Sequence, residues 1–391
     1  MFYYRFRPMT ELSIKELMYD EIYFTSTEES NDPYEGKIFF KFDKSEEKWR
    51  RLLEVAWKQY TGTDKERYIE LLSRYLFEKS PLTFDEVKEL NFDECAVQLK
   101  SLLELRDFTR LLELFKNYVC IYQPDKKYFV SFARSCDNYL MWSHYANKHN
   151  GYCLIFRTAD GYIFQDKSKK RTSISRSTPY SFSPHMSYSI DDKFKMYDVC
   201  YSSGDVEESI DAFWCFPQYI NGHVLKDEQE RIEYFNKLQR PFLEKDVCWE
   251  YEQEARLLLA TPQAWLFGEN IEYTKYERLM HYDSTQLVGI VLGHRMCQED
   301  KDRIKAIIKD KTRGWHDFDR TKGVTRIFDF VLFEAELSSQ KRVVEIKPKE
   351  IYGGVKPITT MDDGFVKRYN DWKEGYCTEF SGNSASRVKS D

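Results

Sequence analysis

The spacing of apolar residues along the chain changes from helical to strand-like and back. Between residues 44 and 119 apolar side chains recur three and four positions apart, as in the run Trp49, Leu52, Leu53, Ala56 and Trp57. This spacing gives an amphipathic helix one continuous apolar stripe that can pack against a core. Residues 44–119 are therefore predicted to form a large helical insertion.

Outside the insertion, short runs with a period of two alternate with further helical patterns. Strands are predicted at residues 2–6, 21–25, 128–132, 152–157, 251–260 and 287–292, with a hairpin of 325–337 against 341–346. Helices are predicted at 14–18, capped by Ser13 and Glu16, and at 139–148, 205–247 and 298–309. The order predicts an α+β fold in which residues 1–43 and 120–350 build a mixed β-sheet core.

Two segments have few aliphatic residues and are predicted to lie outside this core. Residues 165–191 are rich in Ser, Lys and Arg, which favours a mobile surface loop. Its basic part, Lys167 to Arg176, is a possible nucleic-acid contact. Residues 351–391 are predicted to be a C-terminal extension, disordered over the small polar residues 378–391.

Composition and charge narrow the class of protein. The 391 residues are 42% hydrophobic and 16% aromatic, enough for a large core, and the net charge of −6 argues against coating of nucleic acid by bulk charge. Nine scattered cysteines without a Cys-x-x-Cys pair indicate reduced thiols rather than disulfides or a zinc site. We find no signal peptide and no apolar run of membrane-spanning length. A cytoplasmic protein without a metal or membrane partner is expected.

A first candidate site segment, residues 30–36, follows the strand at 21–25. Asn, Asp, Pro and Gly in this segment each favour a turn, so a plain turn is one interpretation. The other is a strand-end loop that presents Asn31, Asp32 and Glu35 to a cleft.

A second segment runs from Ser131 to Tyr145. On the predicted helix, Trp142 and its apolar neighbours satisfy the spacing of a core face, so a packing role is open. His144 can hold a hydrogen bond as a structural residue or titrate near neutral pH in a site. Trp142, His144 and Tyr145 are therefore candidates for ligand binding as well as for the core.

The third segment, residues 249–259, contains the densest charge pattern. If it is a strand, Glu252, Glu254 and Arg256 share one face, with Arg256 able to keep a neighbouring carboxylate ionised. A solvated sheet face with a weak ion pair is the alternative. The aromatic residues before it and the three leucines after it indicate a strand that enters the interior, which favours a cleft with Glu252, Glu254 and Arg256 as catalytic residues.

These segments together resemble the 2971 family of domains of unknown function from bacteria and phages. The matching pieces extend from residue 3 to about 310, and Ala133 departs from the pattern, which has a serine there. The pieces are Tyr3-Tyr4-Arg5-Phe6, Tyr23-Phe24-Thr25-Ser26, Asn31-Asp32-Pro33-Tyr34-Glu35, Ser131-Phe132, Met141-Trp142-Ser143-His144-Tyr145, Gly151, Trp249-x-Tyr-Glu-x-Glu-x-Arg and Ile290-Val291-Leu292-Gly293.

A weaker similarity links the chain to ADP-ribosyltransferases of the Arg, Ser, Glu-x-Glu type. Arg5, Ser131 and the pair Glu252 and Glu254 occur in that order. The resemblance implies an ADP-ribosyltransferase-like core in which Arg5, beside Tyr4, holds the phosphates of NAD and Ser131 orients the site. It also implies that Glu254 stabilises the oxocarbenium-like ribose and that nearby aromatic rings stack on the bases.

Three functions are compatible with the sequence. The first is a transferase or glycohydrolase acting on NAD or a nucleotide, as a toxin or phage-defence effector. The second is a Mg²⁺-dependent nuclease or phosphohydrolase with Asp32, Glu35, Glu252 and Glu254 as ligands. The third is a non-catalytic sensor of a nucleotide or of a protein partner in a defence system.

Overall fold

The computed structural model confirms an α+β fold with a large mixed sheet and a helical unit. It describes residues 1–32, 40–124, 127–177, 185–203, 210–222, 227–239, 242–261, 271–313, 316–319, 324–353, 356–381 and 384–389. None of the helices in these ranges is long and apolar enough to cross a lipid bilayer.

The strands, in chain order, are β1 (Phe2–Arg7), β2 (Glu21–Tyr23), β3 (Phe40–Phe42), β4 (Leu82–Thr83), β5 (Lys127–Ala133), β6 (Tyr152–Arg157), β7 (Tyr162–Phe164), β8 (Ser173–Ser177), β9 (His185–Ser189), β10 (Lys193–Asp198), β11 (Cys200–Ser202), β12 (Ile210–Asp211), β13 (Glu244–Asp246), β14 (Glu254–Ala260), β15 (Leu279–His281), β16 (Leu287–Leu292), β17 (His316–Asp319), β18 (Val324–Ile327), β19 (Phe330–Leu337), β20 (Val344–Tyr352), β21 (Ile358–Thr359), β22 (Tyr376–Ser381) and β23 (Ser384–Lys389).

The helices are α1 (Glu11–Tyr19), α2 (Glu46–Ala56), α3 (Lys65–Lys79), α4 (Phe84–Glu89), α5 (Asp93–Ala96), α6 (Leu102–Ile121), α7 (Tyr139–Tyr145), α8 (Gln218–Asn221), α9 (Glu228–Gln239), α10 (Gln298–Thr312) and α11 (Phe365–Glu374). Short 3₁₀ helices lie at Thr27–Glu29, Ala212–Cys215, Val247–Glu252 and Ser284–Gln286.

A ten-stranded sheet in the order β21-β20-β19-β16-β6-β1-β5-β14-β10-β7 forms the centre of the core. β16 and β19 run parallel and the other neighbours run antiparallel, so the sheet is mixed. Because strand side chains alternate, each face of the sheet packs its own apolar cluster. One cluster includes Tyr3 and residues of α1 and α10, and the other includes Phe6 and residues of α7 and α11.

The central sheet divides between β1 and β5. β1 pairs with β6 over six positions and β5 pairs with β14 over seven, whereas the register between β1 and β5 is the single pair Tyr4 and Ala133. Farther along the same edge of β5, Phe129 bridges Thr25 instead. Ser131 lies between these two pairings and is exposed, although its strand is in the middle of the sheet.

The helical unit has a separate core, and it recruits chain from outside residues 44–119. Helices α2 to α6 bury Trp49, Leu52 and Leu53 as the apolar stripe predicts. The same cluster also contains Phe42 of β3 and Phe213, from the 3₁₀ helix at Ala212–Cys215. The chain therefore returns to this core around Phe213 and completes it. The sequence predicted helix throughout this part of the chain, residues 205–247.

Several local predictions are wrong. Helix α1 begins at Glu11 with Thr10 as its cap, because the Thr10 hydroxyl accepts from the Ser13 N–H, and Glu16 pairs with Arg7 instead of capping. Within residues 165–191, strands β8 and β9 form a hairpin, since Ile174 alternates with polar residues and is buried. The predicted strand at 251–260 begins only at Glu254, because Val247–Glu252 is a 3₁₀ helix and Gln253 is left-handed with φ 44°.

The end of the chain also differs from its prediction. The hairpin joins β19 to β20, whereas residues 324–327 form β18 in another sheet with β17, β22 and β23. The stretch 378–391 was expected to be disordered, but its described residues contain most of the antiparallel pair of β22 and β23. Residues 351–391 are not a loose extension either, because Trp372 of α11 is buried and stacks on Phe2 with ring centroids 4.9 Å apart.

Candidate functional site

The three candidate segments come together at one end of β14. The Asn31 side-chain amide donates to the Tyr145 hydroxyl oxygen at 3.0 Å, and the Tyr145 hydroxyl donates to the Glu252 carboxylate. One chain of hydrogen bonds therefore joins the 30–36 segment, α7 and the 3₁₀ helix before β14. These three segments, far apart in the sequence, therefore converge over the described residues.

Lys245 of β13 links the two glutamates. Its ammonium group lies 2.6 Å from Glu252 Oε2 and 3.3 Å from Glu254 Oε2. All three side chains are buried, with residue exposures of 8% for Lys245 and 4% for each glutamate. Two carboxylates this close would repel each other, and the shared ammonium group offsets that repulsion.

Arg256 holds Glu254 from the other side. Arg256 Nε donates to Glu254 Oε1 and a terminal guanidinium nitrogen donates to Oε2, both at 2.7 Å. A further guanidinium N–H donates to the Phe242 carbonyl at 2.7 Å, and the planar group lies 4.5 Å from the centre of the Phe129 ring. Bidentate pairing fixes the orientation of the carboxylate as well as its charge.

The charges of this cluster balance. Burial raises the pKa of Glu254, but Arg256 and Lys245 outweigh burial, so that its pKa lies below the usual value. Burial also raises the pKa of Tyr145, and the hydrogen bond to Glu252 raises it further. Tyr201, whose oxygen accepts from the Glu254 N–H at 2.7 Å, has a pKa raised to about 12, chiefly by burial. At neutral pH Glu254 is therefore ionised, and Tyr145 and Tyr201 are neutral.

Ser131 marks the solvent side of the cluster. It lies directly opposite Arg256 in the register of β5 and β14, and its hydroxyl is among the hydrogen-bonding groups that lower the pKa of Glu254. Residues paired across antiparallel strands project from the same face. Ser131 is therefore an exposed residue on the face of the sheet that contains Glu254 and Arg256.

Two other predicted residues lie near this opening. Tyr4 projects from the same face as Ala133 and Glu254, is half-buried, and hydrogen-bonds with Cys136. His144 is exposed on α7, with its ring centroid 6.3 Å from those of Tyr145 and Tyr251. Both residues are placed at the rim rather than in the buried cluster.

The remaining predicted residues are placed differently. Arg5 lies on the opposite face of the sheet from Glu254, because it follows Tyr4 in β1 and side chains alternate. Trp142 is fully buried, donates from Nε1 to the Cys136 carbonyl at 2.7 Å and packs edge-on against Phe6, so it belongs to the core. Asp32 is buried at 5% exposure near the cluster, and Glu35 is outside the described residues.

Sequence reasoning missed Lys245, Tyr201 and Asn138. Asn138 caps α7 and also donates to the Tyr251 carbonyl at 2.7 Å, which ties α7 to the 3₁₀ helix. No spacing rule connects these residues to Glu254, since β11 and β13 reach it only through the folded chain. The separation of Lys245 and Glu252 along the sequence does not by itself predict a contact between them in a helix or a strand.

The glutamates of the cluster are neutralised by cationic side chains, and this arrangement does not suit a metal site. The cationic side chains of Lys245 and Arg256 already contact the carboxylates of Glu252 and Glu254. Over the part of the chain that the structure describes, no group of three or more His, Cys, Asp and Glu side chains could hold a metal ion.

Comparison with known proteins agrees with the family resemblance. Residues 141–257 match the family model described as "Protein of unknown function (DUF2971)". No curated protein and no solved structure matches the chain. The matched segment contains Tyr145, Lys245, Glu252, Glu254 and Arg256, the greater part of the buried cluster. Over residues 141–257 the chain is therefore similar to the DUF2971 proteins.

Proposed function

We propose that the opening at Ser131 binds a nucleotide, with NAD as the first candidate, and that the protein is a transferase or glycohydrolase acting on it. The observation that carries the proposal is the position of an ionised, buried Glu254 beside an exposed Ser131, where the sheet divides between β1 and β5. Ligands commonly bind in crevices where a sheet opens. The roles in toxicity and phage defence belong to this proposal through the resemblance alone, and the cytoplasmic location belongs to it through the scattered cysteines.

The rim supplies surfaces that suit a base. Tyr145 is half-buried with its hydroxyl fixed between Asn31 and Glu252, so that its ring is held in place. Tyr251 and the exposed His144 extend this aromatic surface. Rigid aromatic rings stack on nucleobases with little loss of side-chain entropy.

The chemistry proposed is cleavage of the bond between nicotinamide and ribose. The bonding electron pair leaves with the nicotinamide nitrogen, which becomes neutral, and positive charge develops on the ribose. The oxygen of water, or of an acceptor hydroxyl, then forms a bond to the ribose carbon and releases a proton. Ser131 contacts the ligand, and Glu254 provides a fixed negative group behind it.

Nicotinamide release from NAD tests this proposal. Purified full-length protein should release nicotinamide, and we expect Ser131→Ala and Glu254→Gln to lower the rate, the latter by about 100-fold, which corresponds to about 2.7 kcal/mol of barrier. Glu336→Gln is the matched control, because Glu336 of β19 pairs with Lys347 and Lys349 of β20, and four strands lie between β19 and β14 in the sheet order. Wild-type rates in both site variants would reject these assignments.

A non-catalytic sensor is the second candidate, and a specific observation favours it. Both carboxylates are 4% exposed and already paired with cations, as in a network that holds a binding surface in shape. A sensor would bind NAD in a calorimeter, lose affinity in Ser131→Ala and release no nicotinamide. Absence of both binding and turnover for NAD and other nucleotides would overturn both candidates.

A further inference from the structure

The opposite face of the sheet carries a second group of buried charges around β1. Arg5 and Arg7 are two positions apart on this strand, so their side chains project from the same face, toward α1. Arg5 is only 8% exposed, and the side chain of Arg7 is 20% exposed. Solvent therefore reaches the pair from the Arg7 end of the strand.

These two guanidinium groups share one acidic neighbour. Arg7 pairs with Glu16 of α1, and Glu16 acts on Arg5 only through its charge. The other nearby carboxylate, Asp20, is paired with Lys311 of α10. The cluster therefore holds one more positive charge than negative charges, in contrast to the balanced pairs around Glu254.

Three donors in this cluster are buried and have no hydrogen-bond partner among the described residues. They are Arg5 Nη1, Arg7 Nε and the Tyr282 hydroxyl. The Tyr282 ring is fixed by edge-on contact with Phe156, with centroids 5.0 Å apart. Neighbouring Tyr152 differs, because its hydroxyl donates to the Ser13 carbonyl at 2.7 Å.

Buried donors that lack acceptors are rare in folded proteins and call for an explanation. An anion supplies what this cluster lacks, namely acceptor oxygens for the three donors and a negative charge for Arg5. Guanidinium groups match the oxygen spacing of phosphates and carboxylates, and a phenol adds one more donor. Burial, followed by the charge of Arg7, lowers the pKa of Arg5 to about 10, and a bound anion would restore it.

We propose that Arg5, Arg7 and Tyr282 form a binding site for a small oxyanion of the phosphate class, on the face of the sheet opposite to Glu254. The site is separate from the Ser131 opening, because the sheet lies between them. Its occupant is inorganic phosphate or the terminal phosphate of a larger molecule that enters past Arg7. Such a ligand would fasten the chain that follows β15 to β1.

Thermal unfolding of the full chain tests this site. Titration with sodium phosphate against sodium chloride at equal ionic strength and constant pH should raise the melting temperature, with a rise that follows the logarithm of the phosphate concentration above Kd and no comparable rise from chloride. Arg5→Met, which keeps the length of the side chain and removes the charge, should abolish the phosphate effect. Arg303→Met is the control, because Arg303 forms an ion pair with Glu11 on the protein surface and should leave the effect intact.

Two further arms make the result decisive. Tyr282→Phe removes a single hydroxyl and should raise the Kd for phosphate, obtained from the same titration, several-fold. This variant keeps the test available if Arg5→Met does not fold. A larger shift with AMP than with equal phosphate that Tyr282→Phe reduces identifies a nucleotide phosphate as the source, and an equal or smaller shift identifies the free ion. A larger AMP shift that Tyr282→Phe leaves unchanged belongs to the Ser131 opening. Ser131→Ala should keep the phosphate effect, so that failure of the proposed NAD site leaves this test intact. No rise with phosphate beyond that with chloride in the wild type, or equal rises in wild type and Arg5→Met, would overturn the proposal.

Discussion

The two faces of the central sheet each bury a charged cluster, and they treat the charges differently. Around Glu254, two carboxylates and two cations contact each other, with both carboxylates held from more than one side. Around Arg5, two guanidinium groups share Glu16, and three donors have no partner among the described residues. Burial is similar, since Arg5 and Lys245 are both 8% exposed. The difference shows that burial alone does not indicate a role: the first cluster is complete in itself, and the second needs a partner from outside.

The largest expected effect is on the balanced cluster. Arg256→Met removes the bidentate partner of Glu254 and leaves a buried carboxylate with only Lys245 to compensate it. We expect the free energy of unfolding to fall by about 3–5 kcal/mol in urea denaturation. Arg5→Met is the matched comparison on the other face, and without phosphate it should change stability by about 1 kcal/mol or less. Equal losses in the two variants would abolish the distinction between the clusters.

Substitution of Trp142 tests whether the sheet face that contains Glu254 has a packed core behind the opening at Ser131. Trp142→Ala removes a fully buried ring that packs against Phe6 and hydrogen-bonds to Cys136. The cavity should lower the free energy of unfolding by roughly 3–5 kcal/mol. Nucleotide affinity, measured under conditions where the variant remains folded, should change little. A large loss of affinity with unchanged melting would instead return Trp142 to the binding site.

The dependence of stability on acid pH tests how the balanced cluster treats the charge of Glu254. Its pKa in the folded protein is lowered below the ordinary value of 4.5, so its ionised form stabilises the fold above that pH. This contribution is lost as the pH falls through the lowered folded value. The stability difference between wild type and Glu254→Gln should therefore shrink below about pH 4.5, by at most about 1.4 kcal/mol per pH unit. A difference that stays constant down to the acid transition would contradict the lowered pKa.

The smallest effect concerns His144 at the rim. Because His144 is exposed, His144→Gln should change the free energy of unfolding by less than about 0.5 kcal/mol. If its ring contacts the ligand, the variant should flatten the pH dependence of nicotinamide release between about 5.5 and 7.5. An unchanged pH profile together with a sharp drop in melting temperature would identify a structural histidine.

Local sequence patterns were sufficient to predict several helices, strands and shared faces. The apolar stripe from Trp49 to Trp57 predicted a helix correctly, because helical spacing alone determines which side chains share a face. The same holds for Glu254 and Arg256, which are two residues apart on a strand and meet on one face. Alternation also separates Tyr4 from Arg5, although the resemblance to ADP-ribosyltransferases implied one shared site for both.

Tertiary structure decided what no local pattern contains. The register that pairs Tyr4 with Ala133 determines which face of β1 looks toward Glu254, and a shift by one residue would exchange Tyr4 and Arg5. Lys245 reaches the glutamates because β13 pairs with β11. The sequence by itself thus determined the α+β class, the helical unit and the charged pair on β14, since these depend on near neighbours. The division of the sheet at Ser131 and the partners of each buried charge depend on contacts between segments far apart in the chain, and only the folded structure determines them.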